Sequence, residues 1–141
     1  MNYTAERVDV WAASINDEPG ALSKLLAGLE EAGANLECVI ARRSPGKSGS
    51  GDVFLTPLRG YAQVAAAAEL GVKATSSVFT VRVEGMNAPG VGAALTAKLA
   101  ETGINLHGLS AAVIGMKFVL YLGLDSEADA DKAITILRQD D

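Results

Sequence analysis

The sequence contains few of the residues from which metal and redox sites are built. Its 141 residues include one cysteine, Cys38, and one histidine, His107. A single cysteine excludes a disulfide within the chain, and one cysteine with one histidine is too few for the usual zinc sites. We therefore expect neither a metal nor a cofactor, and we interpret Cys38 as a small buried residue.

Basic residues and long apolar stretches are also scarce. The chain has 12 lysines and arginines against 17 aspartates and glutamates, a net charge of −5 at pH 7. This balance argues against nucleic acid as a partner, because affinity for a phosphate backbone comes mainly from cations. The uncharged apolar stretches are only as long as strands, and the first residues lack the pattern of a secretory signal. We expect a cytoplasmic protein with no membrane partner.

What the sequence does contain is an internal repeat. The pair Pro19-Gly20 recurs as Pro89-Gly90, at an offset of 70 in the numbering. Two longer segments are related by the same offset: Gly33-Ala34-Asn35-Leu36 and Gly103-Ile104-Asn105-Leu106. One spacing for several motifs indicates a tandem duplication, with repeats over residues 1–75 and 76–141. Repeats of this size are small for independent folding, so we expect the two to pack together.

Each repeat has the pattern strand, helix, strand, strand, helix. Alternating apolar residues predict the strands, and a leucine spacing of three and four predicts the helix that follows each Pro-Gly pair. Residues 73–77 supply a further strand for the first repeat. The repeat offset relates them to the extended arm 3–7, so we predict that this arm completes the second sheet in a reciprocal exchange of edge strands. Matching residues 53–55 with 118–120 predicts five extra residues in the first hairpin.

The fold class expected from this order is α+β, with two ferredoxin-like βαββαβ repeats around a pseudo-two-fold axis. It should contain eight antiparallel strands, with four helices on the sheet faces. The repeated motifs resemble those of ACT domains, in which Asn/Asp-x-Pro-Gly-apolar opens a helix and Gly-x-Asn-apolar opens the next strand. The two copies of the first motif are Asp17-Glu18-Pro19-Gly20-Ala21-Leu22 and Asn87-Ala88-Pro89-Gly90-Val91.

The resemblance implies a regulatory protein that binds an amino acid at domain interfaces and acts on a metabolic enzyme. The sheet edges or faces left over by the fold predict a homodimer. For the ligand-binding residues, the resemblance implies Asp17, Asn35, Asn87 and Asn105. The surroundings of the two helix starts add Glu18, Gly20, Ala21, Leu22, Ala88, Gly90, Val91 and Gly92. Asp17 departs from the Asn that is commoner in the family. Gly92 departs from the apolar residue that the family usually has after the Pro-Gly-apolar run.

The chemistry of the motif is consistent with amino-acid binding. The start of a helix presents unpaired N–H groups and a partial positive charge to a carboxylate, while Asp17 and Asn87 can accept hydrogen bonds from an ammonium group. The alternative is that both side chains only cap their helices. Because Asp17 is charged and Asn87 is neutral, the sequence favours tighter binding in the first repeat.

Two other classes of function remain open: a ligand-free interaction module and a small enzyme of this fold. No Ser-His-Asp order, metal cluster or phosphate loop is present in the sequence. Arg42 and Arg43 are interpreted as surface residues of a long hairpin, and His107 as a surface histidine. We therefore expect a protein that is not an enzyme.

Overall fold

The computed structural model describes residues 3–139, which form two compact units. The first unit comprises residues 9–75, and the second comprises residues 3–8 together with residues 76–139. In chain order the elements are β1 (Tyr3–Val8), β2 (Trp11–Asn16), α1 (Ala21–Glu31), β3 (Cys38–Arg43), β4 (Ser50–Thr56), α2 (Gly60–Glu69), β5 (Lys73–Ala74), β6 (Phe79–Met86), α3 (Val91–Glu101), β7 (Leu106–Ile114), β8 (Lys117–Leu124) and α4 (Glu127–Arg138).

The first unit is a four-stranded antiparallel sheet with the strand order β3-β4-β2-β5. Helix α1 buries Leu25 and Leu29, which have the spacing of one helix face, against Val53 and Leu55 of β4. Val53 and Leu55 are two positions apart and so point to the same face of the sheet. Two helices and one sheet therefore enclose the core of this unit.

The second unit has the equivalent strand order, β1-β6-β8-β7, and is also antiparallel. All six residues of β1 pair with β6, and Ala5 is buried in the core of the unit. The Arg138 guanidinium donates a hydrogen bond to the Ala5 carbonyl at 3.0 Å. The arm predicted from the repeat spacing is thus a strand of this sheet.

The two edge strands are exchanged between the repeats, as the repeat offset predicted. β1 precedes the first repeat's motifs and pairs with β6, while β5, its equivalent at that offset, precedes those of the second repeat and pairs with β2. The expected reciprocal exchange of edge strands is therefore confirmed. The eight strands form two four-stranded sheets, and four helices accompany them, as the α+β fold class predicted.

The register of the hairpins corrects one expectation. Ala13 lies opposite Val53 in the first unit, and Val83 lies opposite Leu120 in the second. The repeat offset of 70 relates Ala13 to Val83, but the offset between Val53 and Leu120 is only 67, so the first hairpin has three extra residues and not five. The sequence match was displaced by two positions, a shift that leaves every side chain on the same face and so preserves the apolar pattern.

Candidate functional site

The second unit contains an open pocket beside the start of α3. Its volume is about 220 Å³. Its walls come from the loop before α3, the first turn of that helix and the hairpin of β7 and β8: Asn87, Ala88, Gly90, Val91, Gly92, Ala111, Ala112, Val113, Phe118 and Leu120. No charged side chain belongs to this lining.

The start of α3 gives the pocket its polar side. Gly90 precedes the helix with φ of +86°, a left-handed conformation that residues with a Cβ rarely adopt. The helix has no side-chain cap, and the N–H of Ala94 is bonded to the Gly90 carbonyl. The amides of Gly92 and Ala93 lie before that bond, in the turn where helical N–H groups have no partner within the helix. This turn can therefore receive a carboxylate.

The hairpin gives the pocket its apolar side. Phe118 and Leu120 are 4% and 2% exposed and belong to the core of the unit. Val113 and Ala111 of the edge strand β7 lie directly opposite them in the register, and Val113 is 53% exposed. The loop is fixed to this hairpin because the backbone N–H of Asn87 donates a hydrogen bond to the Met116 carbonyl at 2.8 Å. A small ligand would contact aliphatic and aromatic carbon here.

The equivalent region of the first unit has a different chemistry. The Asp17 amide donates to the Gly49 carbonyl at 3.0 Å, as Asn87 does to Met116. The carboxylate of Asp17, however, accepts a hydrogen bond from Nε of Arg43 at 2.8 Å. Helix α1 also starts without a side-chain cap, after Gly20 with φ of +89°. Neither Asp17 nor Asn87 caps its helix, so the capping alternative does not describe the structure.

The predicted residues fall into three groups. The structure brings Asn87, Ala88, Gly90, Val91 and Gly92 together in the pocket. The corresponding residues of the first unit surround the start of α1: Asp17, Glu18, Gly20, Ala21 and Leu22. Asn35 and Asn105 instead follow the C-terminal ends of α1 and α3 and are exposed. An 11-residue helix is about 16 Å long, so within one unit these asparagines lie far from the helix start.

Sequence reasoning missed the hairpin half of the pocket. Ala111, Ala112, Val113, Phe118 and Leu120 were predicted only as strand residues. Alternation of apolar residues shows which face of a strand is buried, but it does not show which residue lies beside the start of a helix. The register of β7 on β8, which includes an irregularity between Leu106 and Gly108, decides that position.

The two units place a large and a small residue on opposite members of one strand pair. In the first unit Ile15 lies opposite Gly51, and in the second Gly85 lies opposite Phe118. A Cβ added to Gly51 would approach Ile15 Cγ1 at 3.3 Å, and one added to Gly85 would approach Phe118 Cε2 at 2.9 Å. Each unit therefore fills the same space from opposite strands, and only the second has an aromatic ring beside the pocket.

A polar cluster lies on β6 and β8 of the second unit, outside the pocket. Arg82 donates a hydrogen bond to Glu84 at 2.9 Å and lies near the Tyr121 ring. The hydrogen bond from Arg82 holds the pKa of Glu84 below its usual value, with Lys117 contributing. This cluster has its hydrogen-bond donors and acceptors paired with each other.

Residues 3–139 contain no group of three or more histidine, cysteine, aspartate or glutamate side chains that could hold a metal ion. No helix among them is long and apolar enough to cross a membrane.

No protein-family model matches the sequence, and no curated protein sequence matches it. Solved structures do match the fold. Protein BT0572 from Bacteroides thetaiotaomicron matches with a TM-score of 0.78 at 15% identity, over 95% of this chain and 88% of that one. The aspartokinase alpha and beta subunits match with a TM-score of 0.64 at 20% identity, over 97% and 95% of the two chains.

A third match is the regulatory subunit of aspartate kinase from Thermus thermophilus, in its ligand-free form. Its TM-score is 0.62 at 20% identity, and the match covers 99% of this chain and 98% of that one. The described residues of this chain therefore share the fold of that regulatory subunit. At these identities the likeness establishes the fold and nothing further.

Proposed function

We propose that this chain is a regulatory protein that binds a small amino acid in the pocket beside α3. The observation that carries the proposal is the pocket itself, which joins an uncapped helix start to uncharged, apolar walls. The similarity in fold to a regulatory subunit of aspartate kinase supports a regulatory role over a catalytic one. The regulated partner would be a metabolic enzyme, and the chain itself would not be an enzyme. A cytoplasmic location remains part of this proposal.

Each part of an amino acid has a matching surface in the pocket. The α-carboxylate would accept hydrogen bonds from the amides of Gly92 and Ala93, favoured by the partial positive charge of the helix start. The side-chain oxygen of Asn87 would accept a hydrogen bond from the α-ammonium, a contact worth about 1.5–3 kcal/mol when one partner is charged. The ligand side chain would lie on Phe118 and Leu120.

The edge strand β7 is the proposed surface for a second copy of the chain. Leu109, Val113 and Ile114 are 44%, 53% and 78% exposed. The equivalent edge of the first unit ends in Arg42 and Arg43, charges of the kind that discourage strand pairing, whereas β7 has none. An exposed apolar edge without charge is suited to antiparallel pairing with an identical strand.

Pairing of this kind would also explain the predicted role of Asn105. The pocket lies near the end of β7, at Val113, and Asn105 precedes the start of the same strand. In an antiparallel pair the start of one strand meets the end of the other. The partner subunit's Asn105 would therefore approach the pocket, which becomes an interface site. The alternative function, a ligand-free interaction module, uses the same edge without the pocket.

The test of ligand binding is a thermal-shift series over the 20 amino acids. A ligand at 100 times its Kd should add about 2.7 kcal/mol of stability, which is roughly 5–10 °C in melting temperature. Ala111→Phe should fill the pocket and remove the shift, because Ala111 is exposed and the substitution leaves the core intact. Thr135→Ala, on the exposed face of α4, is the matched control and should keep it. If no amino acid stabilises the wild-type protein, the interaction module is the better description.

The test of self-association is light scattering of the purified chain. Leu109→Lys combined with Ile114→Lys should convert a dimer to a monomer, because both side chains are exposed on β7 and lysine opposes edge pairing. Tyr61→Lys combined with Val64→Lys places the same added charge on exposed positions of α2 and should leave the dimer unchanged. A wild-type protein that is monomeric at all concentrations contradicts the proposed dimer.

A further inference from the structure

We infer that the chain binds its amino acid in the second unit alone, because an internal ion pair between Asp17 and Arg43 closes the equivalent position of the first unit. The inference rests on the proposed function, and it adds how many sites each chain has and which class of ligand they bind. The ligand class is an aliphatic amino acid, since the pocket walls of the second unit contain no charged side chain.

The sheet register makes Arg43 and Val113 equivalent residues. Arg43 lies opposite Gly51 at the end of β3, and Val113 lies opposite Phe118 near the end of β7. Gly51 and Phe118 are themselves equivalent, because they lie opposite Ile15 and Gly85, which the repeat offset relates to each other. Val113 forms part of the pocket wall in the second unit, and the residue at the equivalent position of the first unit is Arg43.

Asp17 and Asn87 are a second pair of equivalent residues. The first unit has a charged residue at both positions, and the second unit has an uncharged residue at both. Asp17 is joined to Arg43 by a 2.8 Å hydrogen bond between charged groups. At the equivalent places Asn87 and Val113 both line the pocket, and a valine side chain offers no donor. The guanidinium of Arg43 therefore holds, on Asp17, the position that a ligand ammonium would hold on Asn87.

The hairpin fixes the backbone that carries the two residues of the ion pair. Arg43 is the last residue of β3, and the next residue, Ser44, donates its amide to the Ser50 carbonyl and its hydroxyl to Asp52. The loop that carries Asp17 is bonded to Gly49 in the same turn. A partner fixed by the chain acts at a high effective concentration, so a free amino acid competes poorly with it.

This arrangement reverses the order of affinity expected from the sequence. That expectation counted Asp17 as an unpaired negative charge in the first unit. In the structure its charge is matched by Arg43, whereas the uncharged Asn87 is open to the pocket. We therefore expect one strong site in each chain.

The experiment replaces the ion pair of the first unit with the equivalent residues of the second, by Asp17→Asn and Arg43→Val. Both side chains are exposed and neither belongs to the core of the first unit, so the double variant should fold. Titration calorimetry with L-leucine and with L-valine should give one ligand per wild-type chain. The double variant should bind two, and the new site should have a Kd within about tenfold of the first. Thr135→Ala, which is far from both positions in sequence and lies on an exposed helix face, should leave the stoichiometry at one.

The outcomes separate this inference from the proposed function. Two ligands on the wild-type chain, or one on the wild type and still only one on the double variant, would overturn the closure by Arg43. A fall from two ligands to one on Arg43→Val alone would show that Arg43 contacts the ligand, and this also overturns it. No ligand on the wild type but one on the double variant would support the closure and refute the pocket of the second unit. No binding by either protein would refute both.

Discussion

The close approach of Gly85 and Phe118 can be tested by enlarging the first side chain and shortening the second. A methyl group at position 85 would lie 2.9 Å from Cε2 of Phe118 and 2.9 Å from Cδ1 of Tyr3, closer than carbon atoms pack. Overpacking of this kind costs about 1–3 kcal/mol, and replacing glycine returns about 0.4–1 kcal/mol through the unfolded chain. Gly85→Ala should therefore lower the free energy of unfolding by about 1–2 kcal/mol.

The same substitution should cost less once the ring is gone. Phe118→Leu removes the outer ring atoms while it keeps a buried aliphatic side chain, so Gly85→Ala in that background should cost about 1 kcal/mol less. Urea unfolding followed by circular dichroism, for the wild type, both single variants and the double variant, gives this coupling directly. Gly108→Ala is the control, because a Cβ there meets nothing within 4 Å, and it should change stability by less than about 0.5 kcal/mol. Additive costs within that margin would refute the close approach and the opposite placement of the large and small residues at Ile15 and Gly51.

Two further predictions concern α4 and the polar cluster of the second unit. Ser126 accepts a hydrogen bond from the Asp129 amide at 3.0 Å, so Ser126→Ala should cost about 1 kcal/mol and about 2–4 °C in thermal melts, with Thr135→Ala unchanged. An equal loss in both variants would contradict the cap. The lowered pKa of Glu84 means that its stabilising effect is present above the pKa of the unfolded carboxyl and is lost as the pH falls through the lower folded value. Acidification from neutral pH should thus destabilise the wild type more than Glu84→Gln in urea unfolding, and parallel pH profiles would contradict the pair with Arg82.

The order of elements was predictable because it depends on local patterns that the duplication presents twice. Apolar alternation and leucine spacing identified the strands and helices, and the repeat offset identified β1 as the sixth element of the second unit. The hairpin register was not predictable in the same way. A strand displaced by two residues keeps its buried face, so residues 53–55 matched residues 118–120 as well as they matched their true equivalents.

The candidate site was predictable only where it follows the chain. The loop and first turn of α3 were found because Asn87, Gly90 and Gly92 are consecutive parts of one motif. Val113 and Arg43 were not found, because their positions depend on the register and on turn lengths that differ between the hairpins. An ion pair between residues 26 apart, such as Asp17 and Arg43, leaves no periodic signal in a single sequence.

The place of β1 in the second sheet has a consequence for how the chain folds. Thr4 contacts Glu84 across 80 residues of chain, and Ala5 contacts Arg138 across 133. The first unit is contiguous, so it can fold as soon as residue 75 has left the ribosome, while β1 has to wait without its partner strand. Contacts so distant in sequence slow folding, because the intervening loop must be closed first. We expect the first unit to fold early during synthesis and the second to complete its sheet only after α4 has emerged.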